Sequence, residues 1–479
     1  MSLRKFDSLI IFIIALVFYA YFVKQGDWNI NSRLGLVKAI VEEHRLTIDS
    51  YHVGEFETED KAFINGHYYS DKAFGASALA AFFYGIIYPL TGSISSYADF
   101  VMLMTILAIG LPTAILAPVI YDMAIKYTED RWFSLMVALS ICLGTAIFPY
   151  AGAFYGHALS ALTAFSAFKL WIDVNQFKAK ITAGRSFLGG LLIGLLVITE
   201  YPTAVIAVIL IGYAGYVAWK NNVLLSRNFV FPFLAGGGTI LALLLTYNKT
   251  VFGSPFTTGY SFNKFEMFEE AFSRGYMGFE WPRARTLFLM TFHPTQGIFF
   301  QSPVLLAALA GVFWTVNRKA LKAEAVMASA AILAFLIAFS GVRLWWGGDS
   351  FSTRYVIAIL PFFAIFLLNT PKFWRLLFYG LAALSIFQML IASATPFNGM
   401  DLATSKVMEV GSTFSMQSFL LYTLLLPRLL KNKLTLTWGN HLLGVESWYF
   451  NLAIPLLAAT VLLTIFFLAG RHADKEKAA

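Results

Sequence analysis

Apolar runs close to the length of a bilayer crossing recur along the whole chain, and they limit what it can fold into. Residues 9–23 read LIIFIIALVFYAYFV and residues 452–470 read LAIPLLAATVLLTIFFLAG. A helix needs about 20 such residues to cross the hydrocarbon core. In lipid each run must satisfy its own backbone, so each is expected as a helix. Charge is scarce enough to permit this, with 13% of the 479 residues charged and 58% hydrophobic. The chain therefore reads as an all-α polytopic membrane protein. The formal net charge of +8 does not point to nucleic acid, because in such a chain basic residues first report topology. The single cysteine, Cys142, sits in an apolar run and excludes an intramolecular disulfide or a thiolate metal cluster. The first run follows Arg4 and Lys5, but no A-x-A-like cleavage site follows it, so it is expected to stay as a transmembrane helix.

Further runs begin near Phe100, Trp132, His157, Phe187, Thr203, Phe229, Pro303, Ala323, Tyr355 and Leu376. With the first and last they predict about 12 spans, within a range of about 11–13. Alternate loops hold the Lys and Arg residues: Lys126 and Arg131; Lys178, Lys180 and Arg185; Lys220 and Arg227; Arg318, Lys319 and Lys322; Lys372 and Arg375; Arg471, Lys475 and Lys477. These loops and both termini are assigned to the cytoplasm, which implies a cell (inner or plasma) membrane protein. Residues 73–90, AFGASALAAFFYGIIYPL, would make a helix about 27 Å long. Counting it as a span would reverse every later loop, so it is read as a juxtamembrane helix of the first outer loop. The chain then divides into a core over residues 1–394, with outer loops at 24–99 and 248–301, and a segment 395–479 holding outer-face residues and the last span. SRLGLVKAIVEEH in the first loop is expected as an amphipathic surface helix, and FNKFEMFEEAF in the second as a comparable piece. In MQSFLLYTLLLPRLLKNK, residues 416–433, Pro427 leaves open whether the segment spans.

Titratable groups gather in the first outer loop. Asp71 and Lys72 are pinned at the membrane boundary by the apolar run behind them, where a lysine could hold a lipid phosphate and an aspartate a sugar hydroxyl. The same pair also fits helix-end decoration, with Ser70 as cap and Lys72 snorkelling. By the charge-based topology Asp60, Asp71, Lys72, His157, Glu200, Tyr260, Arg343 and Arg354 all fall on one side, at helix ends. His157 also fits a packing histidine, Glu200 a helix terminator before Tyr201-Pro202, and Arg343 and Arg354 interfacial anchors.

GHYYSDKAFG, following a first apolar helix and the stretch NSRLGL, resembles the pattern of GT-C class glycosyltransferases, which include protein O-mannosyltransferases, lipid A aminoarabinose transferases and bacterial family 39-like enzymes. AFYGHALSALTAF, NKTVFGSPFTTGYSF and WWGGDSFSTRY resemble further outer-face motifs of the bacterial members. The resemblance implies a GT-C-like fold. It also implies transfer of a hexosyl or pentosyl unit from a polyprenyl-phosphate sugar to a lipid, glycan or protein acceptor hydroxyl at the extracytoplasmic face, beside membrane lipids. It implies a catalytic carboxylate in the first loop, for which Asp60 comes first, Asp71 second and Asp49 third. The class usually places an acid near the start of that loop, where this chain has Asp27 alone. Lys72, with Arg343 or Arg354, is assigned to the phosphate. Arg33, Tyr69, His157, Glu200 and Tyr260 are assigned to donor phosphate, sugar or acceptor hydroxyls. The oligosaccharyltransferase branch uses a divalent ion. Lysine and arginine could carry the leaving-group charge, so neither metal nor other cofactor is expected here. The competing reading is a transporter or flippase of lipid-linked sugars, which would place ionisable residues at mid-membrane.

Overall fold

The computed structural model describes residues 3–273, 275, 278–317, 321–409 and 416–478. Each of the expected apolar runs forms a helix. Among the described residues six helices are long and apolar enough to cross a membrane: Tyr97–Thr128, Tyr201–Lys220, Val230–Phe252, Lys322–Phe339, Lys372–Ala394 and Trp448–Ala473. Shorter or more charged helices make up the rest of the bundle, among them Leu3–Tyr21, Arg131–Leu143, His157–Asn175, Ala183–Thr199, Val304–Val316 and Arg354–Leu367.

The basic loops meet at one end of this bundle. Lys126 binds Asp122 at 2.6 Å and Asp173 at 3.0 Å, Lys169 binds the same two acids, and Arg4 reaches Asp122. Arg131 pairs with Asp7, which also accepts the Tyr121 hydroxyl at 2.7 Å, and Arg375 pairs with Asp130. The alternation of charge along the sequence therefore corresponds to real proximity. Arg318 and Lys319 lie outside the described residues.

The first loop packs at the other end. Helix Gly75–Thr91 starts where Ser77 donates to the Arg33 carbonyl at 3.0 Å, and the chain leaving it reaches Glu42 through Ser93, also at 3.0 Å. Both of its ends thus lie against one helix, Trp28–Glu42, along which it packs. Leu421–Leu430 is also short; ten residues of helix reach about 15 Å, half of a hydrocarbon core.

Three expectations change. Trp28–Glu42 is not an amphipathic surface helix but is buried along most of its length. It can be, because its polar residues find partners inside: Lys38 donates to Glu42 at 2.8 Å and to the Ile94 carbonyl at 3.2 Å. The chain is not all α, since Lys61–Ile64 pairs antiparallel with His67–Ser70, and Phe22–Val23 with Leu436–Thr437. Asn65 and Gly66 turn the first hairpin at φ of 52° and 86°, a left-handed pair that the Asn-Gly sequence favours. As a result Ser70 ends a strand instead of capping a helix, and the helix opens only at Gly75.

Asp7 is buried with Arg131 and Tyr121 bound to it. Asp7→Ala leaves that guanidinium uncompensated. It is expected to cost about 3 kcal/mol, read as a lower unfolding temperature of the detergent-solubilised protein.

Candidate functional site

Arg33 sits on the helix that Asp27 caps and is 1% exposed. Its Nε donates to Asn29 Oδ1 at 2.9 Å, Nη1 to the Ala73 carbonyl at 2.7 Å and Nη2 to Glu200 Oε1 at 2.7 Å. Glu200 lies in the link between Ala183–Thr199 and Ala204–Lys220, and the same oxygen accepts the Gly156 amide at 3.1 Å. A side chain at position 156 would collide with the Thr199 carbonyl and the Glu200 carboxylate, so glycine is needed for this approach. His157 follows, with Nδ1 at 3.7 Å from Glu200 and its ring stacked on Tyr155. Burial pushes the Glu200 carboxyl up, but His157 and Arg33 outweigh it and hold the group below the usual range.

A second cluster forms above the hairpin. Lys72 Nζ lies 2.9 Å from Asp60 and 3.2 Å from Asp71, all three buried. Asp71 also accepts Asn263 Nδ2 at 2.9 Å, and the Lys72 ammonium faces the rings of Tyr260 and Phe268 at 5.5 and 5.9 Å. The segment 248–301 therefore folds down as a cover. Burial raises the Asp71 pKa against the pull of Lys72. Burial also disfavours the Lys72 charge, but Asp60 and Asp71 overcome this and raise its pKa.

Beside these clusters is a cavity of about 450 Å³ lined by Asp27, Lys24, Tyr97, Tyr155, Asp349 and Asn398 among others. One Asp27 oxygen accepts the Asn29 amide at 2.7 Å, and Tyr155 lines the same cavity as the carboxylate. Burial raises the Asp27 pKa, offset only in part by Arg354. The Arg354 guanidinium lies 4.9 Å over the Tyr155 ring and 5.5 Å over that of Tyr355. It is buried, and its Nε has no hydrogen-bond partner among the described residues. Lys24, by contrast, is fully engaged with the carbonyls of Ala392, Ser393 and Thr395.

The structure thus brings Asp60, Asp71, Lys72 and Tyr260 together, and Arg33, His157 and Glu200 together, with Arg354 against Tyr155 next to His157. Arg343 is not among them: it is partly exposed and pairs with Glu270 at 2.8 Å. Tyr69 packs with the apolar cluster around Tyr247 and Phe252. Asp49 pins the hairpin, accepting the Tyr68 amide and His67 Nδ1, each at 2.7 Å. The candidates that the charged-loop reasoning passed over are Asp27 as a base, Asp349 and Tyr155. Asp27 had a signal, as the lone acid between the first apolar run and NSRLGL. The other two are assembled only by folding.

Asp27 and Asp349 line the cavity, but each has an oxygen taken by a backbone amide, of Asn29 and Asp401 respectively. Among the described residues no group of three or more His, Cys, Asp or Glu side chains is arranged as a cage.

Glu200→Gln is expected to destabilise the protein by about 3 kcal/mol or more, because it strips the buried Arg33 of its counter-charge. Thermal unfolding of Arg33→Met combined with Glu200→Leu should recover much of that loss.

No protein-family model matches the chain, and no curated protein matches it by sequence. Among solved structures it is similar to the archaeal oligosaccharyltransferase AglB from Archaeoglobus fulgidus, in complex with an inhibitory peptide and a dolichol-phosphate, at 12% identity and a TM-score of 0.48. That match covers 88% of this chain and 56% of the oligosaccharyltransferase, so the chain spans little more than half of that protein's length. It is similar at the same identity and TM-score to ArnT from Cupriavidus metallidurans bound to undecaprenyl phosphate, covering 88% of this chain and 76% of that one. Both are GT-C glycosyltransferases.

Proposed function

We propose that the chain is an integral membrane glycosyltransferase that moves a sugar from a polyprenyl-phosphate donor to an acceptor hydroxyl at the extracytoplasmic face of the cell membrane. The observation that carries this reading is a cavity-lining acid, Asp27, within the electrostatic reach of a buried cation, Arg354, whose Nε lacks a partner among the described residues. An unpartnered buried guanidinium is costly unless an anion completes it, and a planar donor fork suits a phosphate.

In the proposed step Asp27 accepts the proton of the acceptor hydroxyl as its oxygen bonds to the anomeric carbon. The bond from that carbon to the phosphate oxygen breaks, and its electron pair leaves with the polyprenyl phosphate, whose charge Arg354 meets. A raised pKa makes Asp27 a better base than an ordinary carboxylate. Asp60 and Asp71 suit this role less well, because both are committed to Lys72. For the same reason Lys72 serves here to hold the two outer loops together, and the phosphate passes to Arg354. His157 and Tyr155, stacked beside Asp27 and Arg354, supply the wall on which a sugar ring would rest.

Transfer is measured with a labelled polyprenyl-phosphate sugar and purified protein. Asp27→Asn should lower turnover by about 100-fold or more with donor binding retained. Arg354→Gln should weaken donor binding, with Arg354→Lys in between. Full activity in both variants would overturn the reading. In the wild type, turnover should fall on acidification, with a midpoint above the ordinary aspartate range, because the protonated Asp27 cannot accept the acceptor's proton. Chelation by EDTA should leave turnover unchanged, and a loss restored by a divalent ion would refute the metal-free scheme.

A further inference from the structure

At the end of the bundle opposite Asp27, a second cavity of about 640 Å³ opens between Tyr201–Lys220 and Lys322–Phe339, closed at one side by Asn175 and Gln176. Glu324 is buried at its base and accepts three hydrogen bonds: Asn175 Nδ2 and the Tyr213 hydroxyl at 2.6 Å, and Gln176 Nε2 at 2.8 Å. The nearest other acid on these elements, Asp173, is held by Lys126 and Lys169. The local carboxylates are therefore committed, whereas two ammonium groups line the cavity. Among the described residues Lys220, which donates to Asn175 Oδ1 at 2.7 Å, has no acid partner and Lys322 makes no ion pair. The remaining walls are apolar or aromatic, with Val326 and Tyr216 both exposed.

A positively lined pocket between two helices able to cross a membrane is complementary to an anion that also has apolar chains. We propose that this cavity holds the phosphate headgroup of an anionic phospholipid. The headgroup lies between Lys220 and Lys322, and its acyl chains run along the exposed Leu333 and Ile337, on the face of the helix that carries Lys322 and Val326. The basic loops gather at this end, where the charge rule puts the anionic leaflet, and basic pockets between helices there suit such headgroups. Buried Glu324 sets the selectivity. By taking up the donors of Asn175, Gln176 and Tyr213 it leaves the two lysines as the groups that discriminate, so a zwitterionic headgroup gains less.

The test uses native mass spectrometry of the full chain in neutral detergent, titrated with phosphatidylglycerol or phosphatidylcholine. One phosphatidylglycerol molecule should be retained at concentrations where phosphatidylcholine is not. Lys220→Gln with Lys322→Gln should weaken that binding by roughly tenfold or more, and arginine at both positions should restore it. Lys322→Gln alone, at an exposed position without an ion pair, gives the same reading at smaller size should the double variant unfold. Unchanged phosphatidylglycerol binding in the variants would overturn the proposal. So would equal retention of phosphatidylcholine, or displacement by inorganic phosphate alone, which would mark a site for small anions.

Discussion

The Arg33 guanidinium is the contact on which the first loop depends. A cation at 1% exposure cannot remain without partners in a medium of low dielectric. Its donors reach Asn29 on its own helix, the Ala73 carbonyl at the entry to Gly75–Thr91, and Glu200 between two bundle helices. Glu200 in turn holds the Gly156 amide. One buried ion pair therefore sets the height and direction of four segments that are remote in sequence. Displacing any of them would expose a charge to apolar surroundings.

Around that anchor the charged side chains divide by whether their partners are already present. Lys72 faces two carboxylates within 3.2 Å, and its raised pKa reports that the pair outweighs burial. Asn263, Tyr260 and Phe268 then close the cluster from the segment 248–301. That arrangement fastens one loop to another. Arg354 is different, with aromatic faces around it and an unpartnered Nε. Of the two cations, Arg354 keeps coordination to offer a ligand.

Much of this could be read from residue order. The apolar runs give the helices, and two of the basic stretches do meet, where Lys126 binds Asp173. The hairpin was legible too, in Asn65-Gly66 between strand-forming residues, but the apolar character of the chain favoured reading helices throughout. Asp27 was hidden by its other role as a helix cap, and only its place in the cavity separates the two. Arg343 misled because an arginine at a helix end looks the same in sequence whether it turns inward or, as here, meets an exposed glutamate. Pairwise packing of remote segments is not encoded in local periodicity.

The cavity beside Asp27 makes that last point concrete. Its walls come from both ends of the chain. Phe22–Val23 pairs with Leu436–Thr437, and the Thr435 hydroxyl donates to the Val23 carbonyl at 2.6 Å. Lys24 caps the carbonyl end of Lys372–Ala394, donating at 2.7 Å to Ala392 and 2.9 Å to Ser393, where the helix dipole favours a cation. The Asn398 and Leu434 walls follow from that docking. The partial burial of Asp27, which raises its pKa, therefore owes part of its walls to the C-terminal part of the chain. A carboxylate that would be an ordinary helix cap in isolation becomes a stronger base through contacts made some four hundred residues away.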